Sequence, residues 1–287
     1  MKEVLYFAPT KTGEALKLLG QYGRKATVLA GGTDLVPRIN CYEFKPQVLL
    51  YIGGLGLDTI REKAGRLVIG AATPMARIAA SKVLIRKAGA LAEAAARAGT
   101  AAVRSVATIG GNLAHASPAA DLATPLLAMD AELLLLKGKG KRVVALKDFF
   151  KGAGRTALQP GEMIGEISVP VPKGSTVFLK LGRRKAMSLS VVNVAVSLEM
   201  QGGKCREARI ALGSVAPKPL RCPRAEEMLR GQEIDPALIA RCAGETMAAS
   251  KPVDDQRATA WYRLEAGTAL VARALTQAAG RQGGGKS

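Results

Sequence analysis

A chain of 287 residues is longer than one hydrophobic core ordinarily serves, so two or three packed units are expected. Apolar residues make up 48% of it and aromatic residues 4%, which points to a core of Ala, Val, Leu and Ile and leaves few rings for stacking on nucleic-acid bases. The 42 Lys and Arg against 23 Asp and Glu give a formal charge of +19, yet they run from Lys2 to Lys286, cluster only at 137–142, 183–185 and the tail, and accompany no nucleic-acid motif.

No nucleic-acid partner is therefore expected, and the charge reads as a solvated basic surface or one that meets an acidic protein. Cys41, Cys205, Cys222 and Cys242 form no C-x-x-C pair. With His115 as the single histidine they cannot build a Cys/His metal cluster, so thiols and no metal are expected. No leader pattern opens the chain and no apolar run reaches about 18 residues, which predicts a cytoplasmic protein without a membrane span.

In chain order, Thr12 is placed to cap a helix over Glu14–Gly20, and Ala26–Ala30 and Val48–Ile52 read as short strands, an α/β opening. From Arg66 to Pro172 the pattern is mixed, with strands expected to outnumber helices. It holds a strand at Leu67–Gly70, an Ala-rich helix around Leu84–Ala98 and a hairpin of Glu132–Leu136 with Arg142–Leu146. Prolines and glycine in Pro170–Ser175 mark a linker. Beyond it Val191–Met200 alternates as a half-buried strand, Ala208–Leu212 follows across Gly202-Gly203, and the remainder is helical to about Gly280.

Two glycine pairs carry the chemistry. Leu29-Ala30-Gly31-Gly32-Thr33-Asp34-Leu35 stands where a strand ends, and adjacent glycines let the backbone turn its N–H groups into one concavity that an anion can approach. Thr33 adds a hydroxyl, whereas Asp34 is suited to accept from backbone amides or a ligand hydroxyl. Ala107-Thr108-Ile109-Gly110-Gly111-Asn112-Leu113 repeats the pattern with an amide side chain in place of the acid. Two such loops in separate segments suit a ligand with two phosphates, and no G-x-G-x-x-G is present to hold it on one helix. Taken alone, a G-G-T-D turn is weak evidence and reads first as an ordinary strand-to-loop turn.

These residues resemble the FAD-binding subunit of the molybdenum hydroxylases, the family of xanthine dehydrogenase and aerobic carbon monoxide dehydrogenase. Ala30–Asp34 and Thr108–Asn112 look like its two diphosphate loops, Ser117–Asp121 like its S-P-x-x-D segment, Leu158–Pro170 like the end of its flavin domain, and Phe178–Lys180 with Arg183-Arg184 like the start of its C-terminal domain. The resemblance covers almost the whole chain and implies bound FAD. Gly31, Gly32, Gly110 and Gly111 would give amides to the diphosphate, and Thr33, Thr108 and Asn112 side-chain bonds. Leu29, Ala30, Asp34 and Leu35 would complete the first loop. Asp121 would accept from a sugar or ribityl hydroxyl, or else cap a helix over Leu122–Met129. Ile164 would pack by the flavin or adenine, or lie in the core. Lys180 would place a cation near the ring, or stand on the surface. His115 lies between Asn112 and Asp121, where a hydrogen-bonding role is expected rather than acid–base chemistry. Leu189 falls at a position aromatic in the carbon monoxide branch and aliphatic in the xanthine branch, which favours the latter.

The resemblance implies partners: a molybdopterin-binding large subunit and a small subunit with a 2Fe-2S centre, neither site being in this chain. FAD would receive their electrons and pass them to an acceptor such as NAD. A free-standing FAD oxidoreductase and a non-enzymatic nucleic-acid-binding protein are the competing readings. Gly280–Ser287 satisfies the spacing of a P-loop but follows a helix and reaches the last residue, so it is rejected. The expected fold is α+β. A FAD-binding domain over 1–172, with a small α/β unit of about 1–57 and a larger mixed antiparallel unit of 58–172, precedes a C-terminal domain over 176–280 with a short antiparallel sheet and helices, then a flexible tail at 281–287.

Overall fold

The computed structural model describes residues 4–184 and 187–283, and its architecture is α+β. In the first unit β1 (Leu5–Phe7) is followed by α1 (Thr12–Tyr22), a 3-10 turn at Gly23–Lys25, β2 (Ala26–Leu29), α2 (Leu35–Asn40) and β3 (Val48–Tyr51). The three strands are parallel in the order β1-β3-β2. Ala15, Leu16 and Leu19 share one face of α1 and pack with Leu50, Ile52 and Leu55. Thr12 is the first helical residue rather than its cap; Lys11 holds that position without a side-chain bond.

The second unit opens with β4 (Ile60–Lys63) and β5 (Arg66–Gly70) and continues through six helices: α3 (Met75–Ala79), α4 (Lys82–Lys87), α5 (Gly89–Arg97), α6 (Ala101–Val106), α7 (Ile109–His115) and α8 (Ala123–Ala128). The hairpin β6 (Glu132–Lys137) and β7 (Gly140–Ala145) comes next, then α9 (Leu146–Phe149), the small ladder β8 (Phe150–Gly152) with β9 (Arg155–Thr156), and β10 (Met163–Pro170). The antiparallel order β4-β5-β10-β6-β7 sets the last of these strands in the middle. Helices outnumber strands between Arg66 and Pro172, against expectation, because segments of four to nine residues are too short to declare a helical period. The helix expected around Leu84–Ala98 is two, broken at Ala88 (φ −143°, ψ 51°). Buried Ala90, Ala92, Ala94 and Ala95 let α5 approach its neighbours closely.

The third unit is a four-stranded antiparallel sheet, β11 (Ser175–Gly182), β12 (Ser190–Gln201), β13 (Lys204–Gly213) and β14 (Leu220–Arg221), followed by α10 (Pro223–Leu229), α11 (Pro236–Ala248) and α12 (Ala260–Gly283). α12 packs on β11 and β12 and α10 on β13, while α5 and α8 of the second unit pack on β11, β12 and β13. The half-burial expected of β12 is thus replaced by burial from Ser190 to Leu198, and Phe178, Ala195 and Ala211 join the core of the second unit. Arg221 ties the two together, reaching Asp130 at 2.5 Å, the Leu127 carbonyl at 3.2 Å and Glu226 at 2.7 Å. Of the tail foreseen at 281–287, residues 281–283 end α12 and 284–287 lie outside the described residues, as does the end of the P-loop-like stretch.

Candidate functional site

The first glycine pair sits at the C-terminal edge of the parallel sheet. The Leu29 carbonyl accepts from the Ile52 amide at 2.9 Å, then the chain leaves β2 through half-buried Ala30. It turns at Gly31 and Gly32, the latter at φ +69°, and enters α2 at Leu35 with Asp34 at the cap position. Among the described residues no protein acceptor takes the amides of Gly31, Gly32, Thr33 or Asp34. Four successive uncommitted N–H groups, with Thr33 exposed among them, thus stand at the C-terminal edge of the sheet, where ligands of α/β sheets ordinarily bind.

The second pair is not the open loop that its sequence suggests. Gly110 and Gly111 lie in the first turn of α7, and their amides are already used: Gly110 donates to the Ala71 carbonyl at 2.8 Å, and Gly111 to the capping Thr108 hydroxyl at 3.0 Å. The Ile109 amide likewise meets the Thr73 carbonyl. Glycine is needed at 110 because a Cβ there would come within 2.7 Å of Ala71. What this segment still offers is the Thr108 hydroxyl proton and the Asn112 side chain, whose Oδ1 is buried without a partner.

The two segments meet. A Cβ on Gly31 would fall 1.9 Å from the Val106 carbonyl oxygen, so the first turn lies directly on the backbone leading into the second. His115 Nδ1 stands 2.9 Å from Asp34 Oδ2, with Arg38 at 3.8 Å from the same oxygen. Asp34 therefore serves the contact between α2 and α7 rather than a backbone amide, with His115 beside it.

Asp121 and Lys180 form a separate, buried centre. Lys180 Nζ is 2.6 Å from Asp121 Oδ2 and 3.1 Å from the Arg97 carbonyl, and both side chains are 7% exposed. Ser190 Oγ donates to Asp121 Oδ1 at 2.5 Å and Asn193 Nδ2 at 3.2 Å; Asn193 Oδ1 accepts from the Thr124 hydroxyl at 2.6 Å. Asp121 neither caps α8, whose cap position is Leu122, nor faces a ligand hydroxyl unpaired, and Lys180 is neither a surface lysine nor a free cation. Ile164 is core, opposite Leu135 beside the bulge in β10, and Leu189 is exposed at the rim next to Ser190. Sequence reading missed Ser190, Asn193, Thr124, Ala71 and Val106. Asn193 alone carried a signal, as an amide interrupting the apolar run Val191–Val196.

The turn at Gly31-Gly32 of the parallel unit thus lies against the backbone of the antiparallel unit that leads into Thr108 and α7. Residues 2–172 match the FAD binding domain in molybdopterin dehydrogenase and residues 177–278 the C-terminal domain of the carbon monoxide dehydrogenase flavoprotein, and the chain belongs to this family of FAD-binding oxidoreductase subunits. The carbon monoxide dehydrogenase medium chain of Afipia carboxidovorans is 32% identical over 96% of both chains. The xanthine dehydrogenase FAD-binding subunit of Escherichia coli O157:H7 is 29% identical over 97% of both. A chain in the carbon monoxide dehydrogenase structure from Hydrogenophaga pseudoflava superposes with a TM-score of 0.93 at 34% identity, covering 98% of each. Whole-chain identity therefore does not follow the lean of Leu189 toward the xanthine branch.

Among the described residues no group of three or more His, Cys, Asp or Glu could hold a metal, and no helix is long and apolar enough to cross a membrane.

Proposed function

We propose that this chain is the electron-relaying flavoprotein of a cytoplasmic molybdenum hydroxylase: it takes electrons from an iron–sulfur subunit served by a molybdopterin-binding subunit and delivers them to an external acceptor such as NAD. The observation that carries this reading is the row of free amides at Gly31–Asp34, packed on the Val106–Ala107 backbone that leads into the segment holding Thr108 and the unpartnered Asn112 Oδ1. FAD, when bound, supplies the redox chemistry of its ring. The protein's part is to place it. The first turn would receive the anionic diphosphate on backbone amides, the Thr108 hydroxyl would donate to it, and Asn112 Oδ1 would accept from a ligand hydroxyl or amino group. Asp121, Lys180, Ser190 and Asn193 neutralise one another and fix the start of β12 against α8, so the rim at Leu189 is held by a buried polar network.

We place the division between the FAD-binding domain at 1–172 and the C-terminal domain at 176–280, and the cytoplasmic setting agrees with four unpaired thiols. The direct test is the absorption spectrum of the purified chain. The expected result is a yellow protein with stoichiometric flavin, and colourless protein that FAD cannot load overturns the reading. Co-purification with larger and smaller chains that carry molybdenum and iron supports the subunit role. Full turnover by the isolated chain on a small substrate would favour a free-standing oxidoreductase.

A further inference from the structure

The chain has one tryptophan and few rings of any kind, and Trp261 is 70% exposed at the start of α12. Tyr262 beside it and Val253 on the preceding turn are exposed too. This turn is not a loose end. The Asp254 carboxylate accepts from the Ala260 amide at 2.5 Å, and Asp255 takes the Arg257 amide at 2.8 Å, the Arg257 guanidinium and the Arg263 guanidinium at 2.6 Å. Arg263, only 2% exposed, donates in turn to the Val191 carbonyl at 2.6 Å and the Ser214 carbonyl at 2.8 Å. A buried guanidinium thus bolts the turn to the ends of β12 and β13, and Arg183 fixes its other side through the Gln256 carbonyl at 2.9 Å. Large apolar groups held in water on a rigid frame lose little freedom when a partner covers them.

The surroundings say what kind of partner. A groove of about 710 Å³ beside the turn is lined by Arg183, Arg184, Met187, Ser188, Leu189 and Arg257. Among the described residues Arg183 and Arg184 pair with no carboxylate, bonding only to carbonyls, and Arg257 shares Asp255 with Arg263. Exposed Met187 and Leu189 in the groove and Val253 on the turn add thioether and aliphatic surface beside Trp261 and Tyr262, a mixture that suits a protein socket. Leu189 also precedes Ser190, which donates to Asp121 of the buried Asp121–Lys180 network, so this end of the groove is anchored to the fold.

We propose that the exposed turn at 253–262, with Arg183, Arg184, Met187 and Leu189, is the docking face for the partner chain that exchanges electrons with the flavin, a protein whose contact surface is an apolar socket ringed by carboxylates. This rests on the reading of the chain as a subunit of a larger redox complex. Aromatic and arginine side chains are the residues that dominate such contacts.

Hydroxyl-radical footprinting with mass spectrometry tests it on the isolated chain and on the assembled complex. Oxidation of Trp261 and Met187 is expected to fall about tenfold on assembly, as for side chains at the closed centre of an interface. Equal oxidation in both overturns the proposal, as does protection of Trp261 in the isolated chain at micromolar concentration, which would make the occupant a second copy, or loss of that protection on adding single-stranded DNA. The double variant Trp261→Ala, Tyr262→Ala should keep its flavin and weaken assembly by about thirtyfold. A chain that assembles normally with Trp261 protected but holds no flavin would sink the flavin reading and leave this face standing.

Discussion

Gly110 and Gly111 are neighbours with different constraints. A side chain at 110 strikes the backbone and Cβ of Ala71, whereas one at 111 meets only the Thr108 hydroxyl. Gly110→Val should therefore cost about 1–3 kcal/mol of stability through overpacking, while Gly111→Val should hold the fold better and lose flavin by crowding the Thr108 wall. Flavin-to-protein ratios set beside melting temperatures check this; full flavin content in Gly111→Val would remove α7 from the site. The Asp121–Lys180 pair makes a second prediction. Lys180→Met leaves a buried carboxylate with two neutral donors and should destabilise by about 3–5 kcal/mol, whereas Asp121→Asn with Lys180→Met should recover much of that loss in urea unfolding.

Among the elements, β7 is joined to the loop before β10 by Arg142, which reaches Glu162 at 2.7 and 2.8 Å. This guanidinium, with the Gln159 amide, holds the nearly buried Glu162 carboxyl below the usual range. A depressed carboxyl contributes stability above its unfolded value of about 4.3 and loses it as pH falls through the folded one. Stability of the native chain should thus decline more steeply below about pH 4.3 than that of Glu162→Gln, whose amide does not titrate. Parallel slopes in denaturant midpoints against pH would contradict this. The same elements show what a sequence can and cannot carry. The turn at Gly31-Gly32 was legible because a strand run stops at it, and β5 and β12 because apolar runs mark them at Leu67–Gly70 and Val191–Met200. The helical start at Ile109 was hidden by the glycines in it, which are poor helix formers held there by bonds to Thr73 and Ala71. The Ser190 and Asp255 contacts were hidden because partners 69 and 8 residues away share no local pattern.

For the molecule as a whole, three of the four cysteines lie in the apolar core under the C-terminal sheet. Burial pushes the thiols of Cys205 and Cys242 up to about 11 and that of Cys222 to about 12. A thiol reagent at mild pH should titrate Cys41 alone in the folded chain and all four in denaturant, and rapid reaction of a second thiol would show that this core opens. The largest part of the fold that no local pattern announced is the position of β10. Its pairing of Glu166 with Gly70 and of Ile167 with Leu133 inserts a late segment between two earlier ones. During synthesis, then, β5 and β6 emerge with their facing edges bare and must wait for residues 163–170 to leave the ribosome. A fragment that stops short of them exposes two apolar edges to whatever strand comes first, including another nascent copy of itself.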